Sequence, residues 1–146
     1  MSRPPDGDPH GTSVAVIGRA AQRRAILLLL AASPAHAAEG DPSRGERVFQ
    51  YCFACHAVQQ GEANLQGPNL RGIVGARIAA REGFDYSPAM RAFAQREARW
   101  SEALLDRYLA APYEVVPNTS MSFPGLREAD ERSDVIAYLR SVVERD

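Results

Sequence analysis

The chain has 146 residues, 45% of them hydrophobic, with 17 basic and 18 acidic side chains and a formal charge of −1. That length provides one modest domain, and so even a balance of charge excludes a nucleic-acid partner held by a basic face. All 17 cations are arginines, because the chain contains no lysine.

The first predicted element is an export signal over residues 1–37. Arg19, Arg23 and Arg24 precede the apolar run AILLLLAA, Ala25 to Ala32, which leads into Ser33-Pro34 and Ala35-His36-Ala37. A basic flank, a short apolar core and an A-x-A site are the pattern of a secretory signal. A membrane span needs about 20 apolar residues, so cleavage near Ala37 is expected over an uncleaved anchor. The mature domain is then 38–146, exported to the periplasm, and its thirteen arginines face sixteen carboxylates for a formal −3.

Asp41-Pro42-Ser43 opens a helix, with Asp41 placed to cap free N–H groups and Pro42 suited to the first turn. Gly45, Val48, Phe49 and Cys52 follow at helical spacing. From Gly61 to Gly83 glycines recur and no periodic pattern lasts, which predicts a long ordered loop. Helical spacing returns over Pro88 to Ala98, through Met90, Phe93 and Ala94. Ser101 is placed to cap a further helix carrying Leu104, Leu105, Tyr108 and Leu109, which Pro112 ends. A turn-rich strap, YEVVPNTSMSFPG, follows. Glu128 to Arg145 then sets Val135, Ile136, Leu139 and Val142 on one face of a last helix. No strand run appears, so the fold class is all-α, helices with long loops.

The chemistry concentrates in YCFACHAV, Tyr51 to Val58. Cys52, Cys55 and His56 form a C-x-x-C-H run, open to three readings: a redox disulfide, a zinc site or covalent haem attachment. A structural zinc site takes four ligands. The other histidines, His10 and His36, lie in the segment expected to leave. A thioredoxin-type disulfide belongs near a βαβ pattern, which is missing here, and a plain disulfide leaves His56 unexplained. Haem c accounts for all three residues, with the thiols adding to the two vinyl groups and the imidazole brought under the iron. For the opposite face of the iron the mature candidates are Met90 and Met121. Met90 falls on an apolar helical stripe, where packing is its expected role. Met121 lies in the irregular strap between Pro117 and Pro124 and is the favoured ligand; a thioether there raises the reduction potential.

From about Asp41 to Val143 the chain resembles a class I cytochrome c of the mitochondrial and bacterial c2 type. The blocks GERVFQYCFACHAV, GPNLRGIVG, GFDYSPAM, WSEALLDRYLAAP, VPNTSMSFPGL and DVIAYL occur in that family's order and near its spacing. The resemblance implies a small all-α fold wrapped around one haem, and a one-electron carrier, not an enzyme. It implies that Pro68 offers its carbonyl to the ring N–H of His56, with Gly67 permitting close approach. Tyr86 and Trp100 would hold a buried haem propionate, and Tyr108 would lie near the methionine sulfur. Gly45 and Phe49 would meet Val135 and Tyr138 where the first and last helices cross. Asn118 stands in place of a usual glycine.

Two departures matter. Where many relatives have an arginine beside the inner propionate, this chain reads Ala76-Arg77. The lysine ring of mitochondrial members is also absent: Tyr51, Ala54, Leu65, Tyr113, Glu114 and Ser120 occupy matching positions, and none is basic. The expected partners are redox proteins, a donor and an acceptor that meet the carrier through apolar or neutral faces with little response to salt. No small-molecule substrate is expected, and contact with a membrane comes only through partner complexes. Without an oligomerisation motif a monomer is expected. A haem subunit permanently bound to a dehydrogenase or oxidase remains the alternative, ahead of a peroxidase or gas-binding protein. Removing the haem should leave a chain this small largely unfolded.

Overall fold

A computed structural model of the protein describes residues 39–144; the expected signal at 1–37 lies outside them. The described chain is helical, as expected. Helix α1 spans Pro42–Val48 and runs on as a 3₁₀ turn over Phe49–Tyr51; α2 is Pro88–Phe93, α3 Glu102–Ala110, α4 Pro112–Val115 and α5 Ala129–Glu144. None of these helices is long and apolar enough to cross a membrane.

Local sequence accounts for most helix starts. The Asp41 carboxylate accepts the N–H groups of Ser43 and Arg44, and Pro42 occupies the first turn, where its missing N–H costs nothing. Ser87 and Ser101 cap α2 and α3 through the N–H groups of Met90 and Leu104. Two expectations need correction. Helix α2 stops at Phe93 rather than Ala98, because the chain beyond it is drawn out against the 75–78 segment. Ile78 N–H bonds to Ala98 O, Trp100 N–H to Ala76 O and Gly75 N–H to Trp100 O. Arg77 and Arg99 thereby form an isolated antiparallel bridge. Pro112, expected only to end a helix, does two things. It forces Ala111 out of the helical region, to φ −153°, and then opens the short α4.

Helices α1 and α5 cross closely. A Cβ on Gly45 would fall on the carbonyl group of Asp134 and 2.7 Å from the Cβ of Tyr138. Phe49 meets Tyr138 with ring centroids 5.3 Å apart. Beside that crossing, Asp134 accepts Arg44 Nε at 2.7 Å, Arg44 Nη2 at 2.9 Å and the N–H of Asp41 at 2.6 Å. The core below is built from Leu104, Leu105, Tyr108 and Leu109 of α3 against Val135, Ile136, Leu139 and Val142 of α5, the faces that the helical spacing predicted.

The loop between the motif and α2 is ordered by one buried amide. Asn69 donates to the carbonyls of Gln59 and Glu62 and accepts the N–H of Arg71. The strap after α4 is pinned where it returns to the core: Leu126 N–H bonds to Leu109 O. Arg132 holds the carbonyls of Leu126 and Arg127 while its Nε reaches Asp106 at 2.7 Å.

Candidate haem site

The C-x-x-C-H run folds as one tight turn after the 3₁₀ segment, with the N–H groups of Cys55 and His56 both bonded to Cys52 O at 3.0 Å. Cys52 and Cys55 are free, half-buried thiols. Burial, helped by the neighbouring Cys55, pushes the Cys52 thiol up to about 11. His56 Nδ1 lies 2.8 Å from Pro68 O. A carbonyl only accepts, so Nδ1 carries the proton and Nε2 keeps its lone pair. Burial holds the imidazole below its ordinary pKa, opposed in part by this bond. Gly67 closes the arrangement: its N–H bonds to Cys55 O at 2.7 Å. A Cβ there would sit 2.6 Å from His56 Nδ1 and 2.8 Å from Nε2, closer than side-chain atoms approach.

Met121 belongs to a second group. The Tyr108 hydroxyl donates to Met121 Sδ at 3.4 Å and lies 3.4 Å from Thr119 Oγ1, which in turn accepts the N–H of Met121. Since the single phenol proton goes to sulfur, Thr119 donates to the phenol oxygen. The Tyr108 ring packs on Trp100 at 5.0 Å, and Trp100 on Phe93 at 6.0 Å. Burial raises the Tyr108 pKa, and the Thr119 hydrogen bond opposes it. Met90, expected to pack, is buried in the core.

Trp100 is buried in the core. Tyr86 stands apart from these groups, edge-on to Phe84 at 4.8 Å. Its oxygen accepts the N–H of Arg81, leaving its own proton free to donate. Arg77 is exposed.

The sequence-predicted residues thus form one group around His56 with Cys52, Cys55, Gly67 and Pro68, and another around Met121 with Tyr108 and Trp100. No hydrogen bond or ring contact joins the two groups directly. Thr119 went unrecognised in the sequence, where Asn-Thr-Ser signals only a turn. Its spacing two residues before Met121 was the available clue. Among the described residues no cluster of three or more His, Cys, Asp or Glu gathers as a metal site. The donor set instead suits a haem: two free thiols, an imidazole with a free Nε2, a tethered thioether, and the aromatic donors Trp100 and Tyr86.

Comparison with known proteins agrees with that chemistry. Residues 42–143 match the family described as Cytochrome c. The chain is 44% identical to cytochrome c2 of Rhodomicrobium vannielii over 102 residues, 70% of this chain and 79% of that one. It is 39% identical to cytochrome c of Guizotia abyssinica over 111 residues, 75% of this chain and 97% of that one. Among solved structures it is similar to cytochrome cH from Methylobacterium extorquens, with a TM-score of 0.64 and 38% identity over 70% of this chain and 99% of that one. It is also similar to cytochrome c2 from Rhodospirillum centenum, with a TM-score of 0.66 and 33% identity over 70% and 98%. The chain belongs to the cytochrome c family as a class I cytochrome c, an electron-transfer protein rather than an enzyme, in a family that binds its haem covalently.

Proposed function

We propose that this chain is a periplasmic carrier of single electrons, holding one haem c through Cys52 and Cys55 with His56 and Met121 as the iron ligands. The bound haem supplies a reversible one-electron couple. Pro68 and Gly67 orient the imidazole and leave Nε2 with its lone pair free, the atom that would hold the iron. Tyr108 and Thr119 hold the thioether in place, and Trp100 and Tyr86 supply N–H and O–H donors to a propionate. The observation that carries the reading is the hydrogen bond from Tyr108 to Met121 Sδ. It fixes a soft donor in an irregular strap, where a methionine needed only for packing has no call for one. With His56 and Met121 both holding the iron, no position would be left for a small molecule, and the chain would transfer electrons without binding a substrate.

The deciding measurement is the weak far-red sulfur-to-iron absorption of the oxidised, haem-loaded protein. It should be present in the native chain and vanish in Met121→Ala, which should then bind carbon monoxide when reduced. Carbon monoxide binding by the reduced native chain would overturn the closed site and favour gas binding or peroxidase chemistry.

Export rests on the signal pattern of residues 1–37 and on the similarity to the bacterial cytochromes c2 and cH. Intact-mass analysis of periplasmic material should find a chain beginning near Ala38. Donor and acceptor are redox proteins. The exposed Tyr51, Leu65 and Tyr113 also suit a haem subunit bound permanently to a dehydrogenase or oxidase. Gel filtration with native partners separates the two cases, since a carrier elutes alone as a monomer.

A further inference from the structure

The strap that carries Met121 is tied unevenly. Before the thioether, Thr119 N–H bonds to Val116 O and Met121 N–H to Thr119 Oγ1. After it, none of residues 122–125 makes a backbone hydrogen bond among the described residues, and the first fixed point is Leu126, whose N–H bonds to Leu109 O at 2.8 Å. A segment with so few hydrogen bonds opens locally at less free energy than unfolds the whole chain. The fixed point at Leu126 therefore sets how firmly Met121 is held from that side.

One side chain builds that fixed point. Arg132 Nη1 donates to Leu126 O at 3.0 Å and to Arg127 O at 2.8 Å, while Nε reaches Asp106 Oδ1 at 2.7 Å. The Arg132 side chain is only 13% exposed, so water competes little for these bonds, and bonds from an ionised donor are the strong kind. Asp106 lies on α3 two residues before Tyr108, the donor to Met121 Sδ. Arg132 thus ties α5, on which it sits, to the return of the strap and to the helix that supplies the thioether's hydrogen bond. Gly125 shows how closely the strap is drawn in: at φ 99° a Cβ there would lie 2.2 Å from Ala110 O at the end of α3. No hydrogen bond joins Arg132 or Asp106 to Met121, so their effect on it passes through the strap.

Resting on the reading that Met121 holds the iron, we propose that Arg132, oriented by Asp106, is the positioning residue that keeps the strap closed and so sets how often Met121 leaves its place. Without the guanidinium the carbonyls of Leu126 and Arg127 lose their donor, and the return of the strap keeps only the Leu126 N–H bond. Residues 122–127 can then swing away while the crossing of α1 and α5 stays intact. Lysine is no substitute, because a single ammonium on a flexible stem lacks the planar fork that spans two carbonyls and a carboxylate at once.

The test uses the haem-loaded full chain with Arg132→Gln, Arg132→Lys and Asp106→Asn, glutamine and lysine being helix formers close to arginine. Two readouts follow the strap: hydrogen exchange at the Leu126 amide, and the urea concentration at which the far-red band is lost. Far-UV circular dichroism through the same titration, with exchange at Leu139 of α5, follows the whole fold. In Arg132→Gln the Leu126 amide should exchange faster by about tenfold or more, as charged hydrogen bonds are lost. The band should vanish at less urea than in the native chain, while the circular dichroism midpoint and Leu139 move much less. Arg132→Lys should recover only a minor part of the change. Asp106→Asn leaves both carbonyl bonds in place and should give a smaller effect in the same direction; it carries the same comparison if Arg132→Gln takes up no haem. An unchanged Leu126 amide in either variant would overturn the proposal, as would full recovery by lysine. Equal shifts in all the readouts would also overturn it, leaving Arg132 a general support of the fold. The ligand reading fails separately: the native chain would then show no far-red band, while exchange at Leu126 still reports whether Arg132 closes the strap.

Discussion

Gly67 lies against the ring of His56 so closely that a Cβ at that position would come within 2.8 Å of Nε2 and 2.6 Å of Nδ1. The contact and the Nδ1 hydrogen bond to Pro68 fix the imidazole from two sides. Gly67→Ala must push the ring or the loop aside. Overpacking of this kind costs about 1–3 kcal/mol, so the urea midpoint of the haem-loaded variant should fall accordingly. An unchanged midpoint would mean that the ring steps aside freely.

Tyr108 acts on Met121 through the hydrogen bond to sulfur. With Met121 as the proposed iron ligand, a donor there would draw electron density from the thioether, disfavour ferric iron and raise the potential. Such a bond is worth about 0.5–1.5 kcal/mol, and a one-electron couple moves about 59 mV per tenfold change. Tyr108→Phe should therefore lower the midpoint potential by about 20–60 mV while the far-red band persists. Thr119→Val removes the donor to the phenol oxygen and weakens the chain of bonds, giving a smaller drop in the same direction. Spectroelectrochemical titration of the three proteins should show that order.

Asp134 ties α5 to α1, and the Arg44 guanidinium, followed by the Asp41 N–H, holds its carboxyl below the ordinary range against the opposing effect of burial. A depressed folded pKa contributes stability that is complete above the unfolded value of about 3.9. That stability is lost as pH falls through the lower folded value. Asp134→Asn should thus lower the thermal midpoint at pH 7 and converge on the native protein as the pH falls from the unfolded value of about 3.9 through the lower folded one. Calorimetry across that range tests it, and a constant gap between the curves would assign the loss to packing.

Ala79 adopts φ 54° and Asn118 φ 61°, the left-handed region that costs most side chains about 1–2 kcal/mol. Ala79→Gly relieves that cost at the expense of a more flexible unfolded chain, for a net gain of about 0.5–1 kcal/mol. Asn118 tolerates the conformation better. Asn118→Ala should destabilise by about 1 kcal/mol, and its site in the strap before Met121 should make the far-red band more easily lost on mild heating.

Much of this molecule was legible in the chain because its signals are local. Caps act within three residues, so Asp41 and Ser101 marked their helices. A 3.6-residue period marked the buried faces of α3 and α5, and the spacing of Cys52, Cys55 and His56 is itself the signature of the proposed attachment. Asn118 could be read as a left-handed turn position because its own side chain tolerates it, whereas nothing in the sequence around Ala79 announces one.

Tertiary structure decided what depends on partners far along the chain. Arg44 and Asp134 stand 90 residues apart, and no period or motif links them. The pairing of 75–78 with 98–100 ended α2 five residues before its helical pattern did, because ladder bonds between distant segments outweigh propensity. Thr119 acquired its position from the fold of the strap onto Tyr108. The sequence by itself determined which atoms could bind a haem; only the packed chain decided which hydrogen bonds hold those atoms and which apolar side chains stay exposed beside them, because both depend on close approach between segments that the sequence separates.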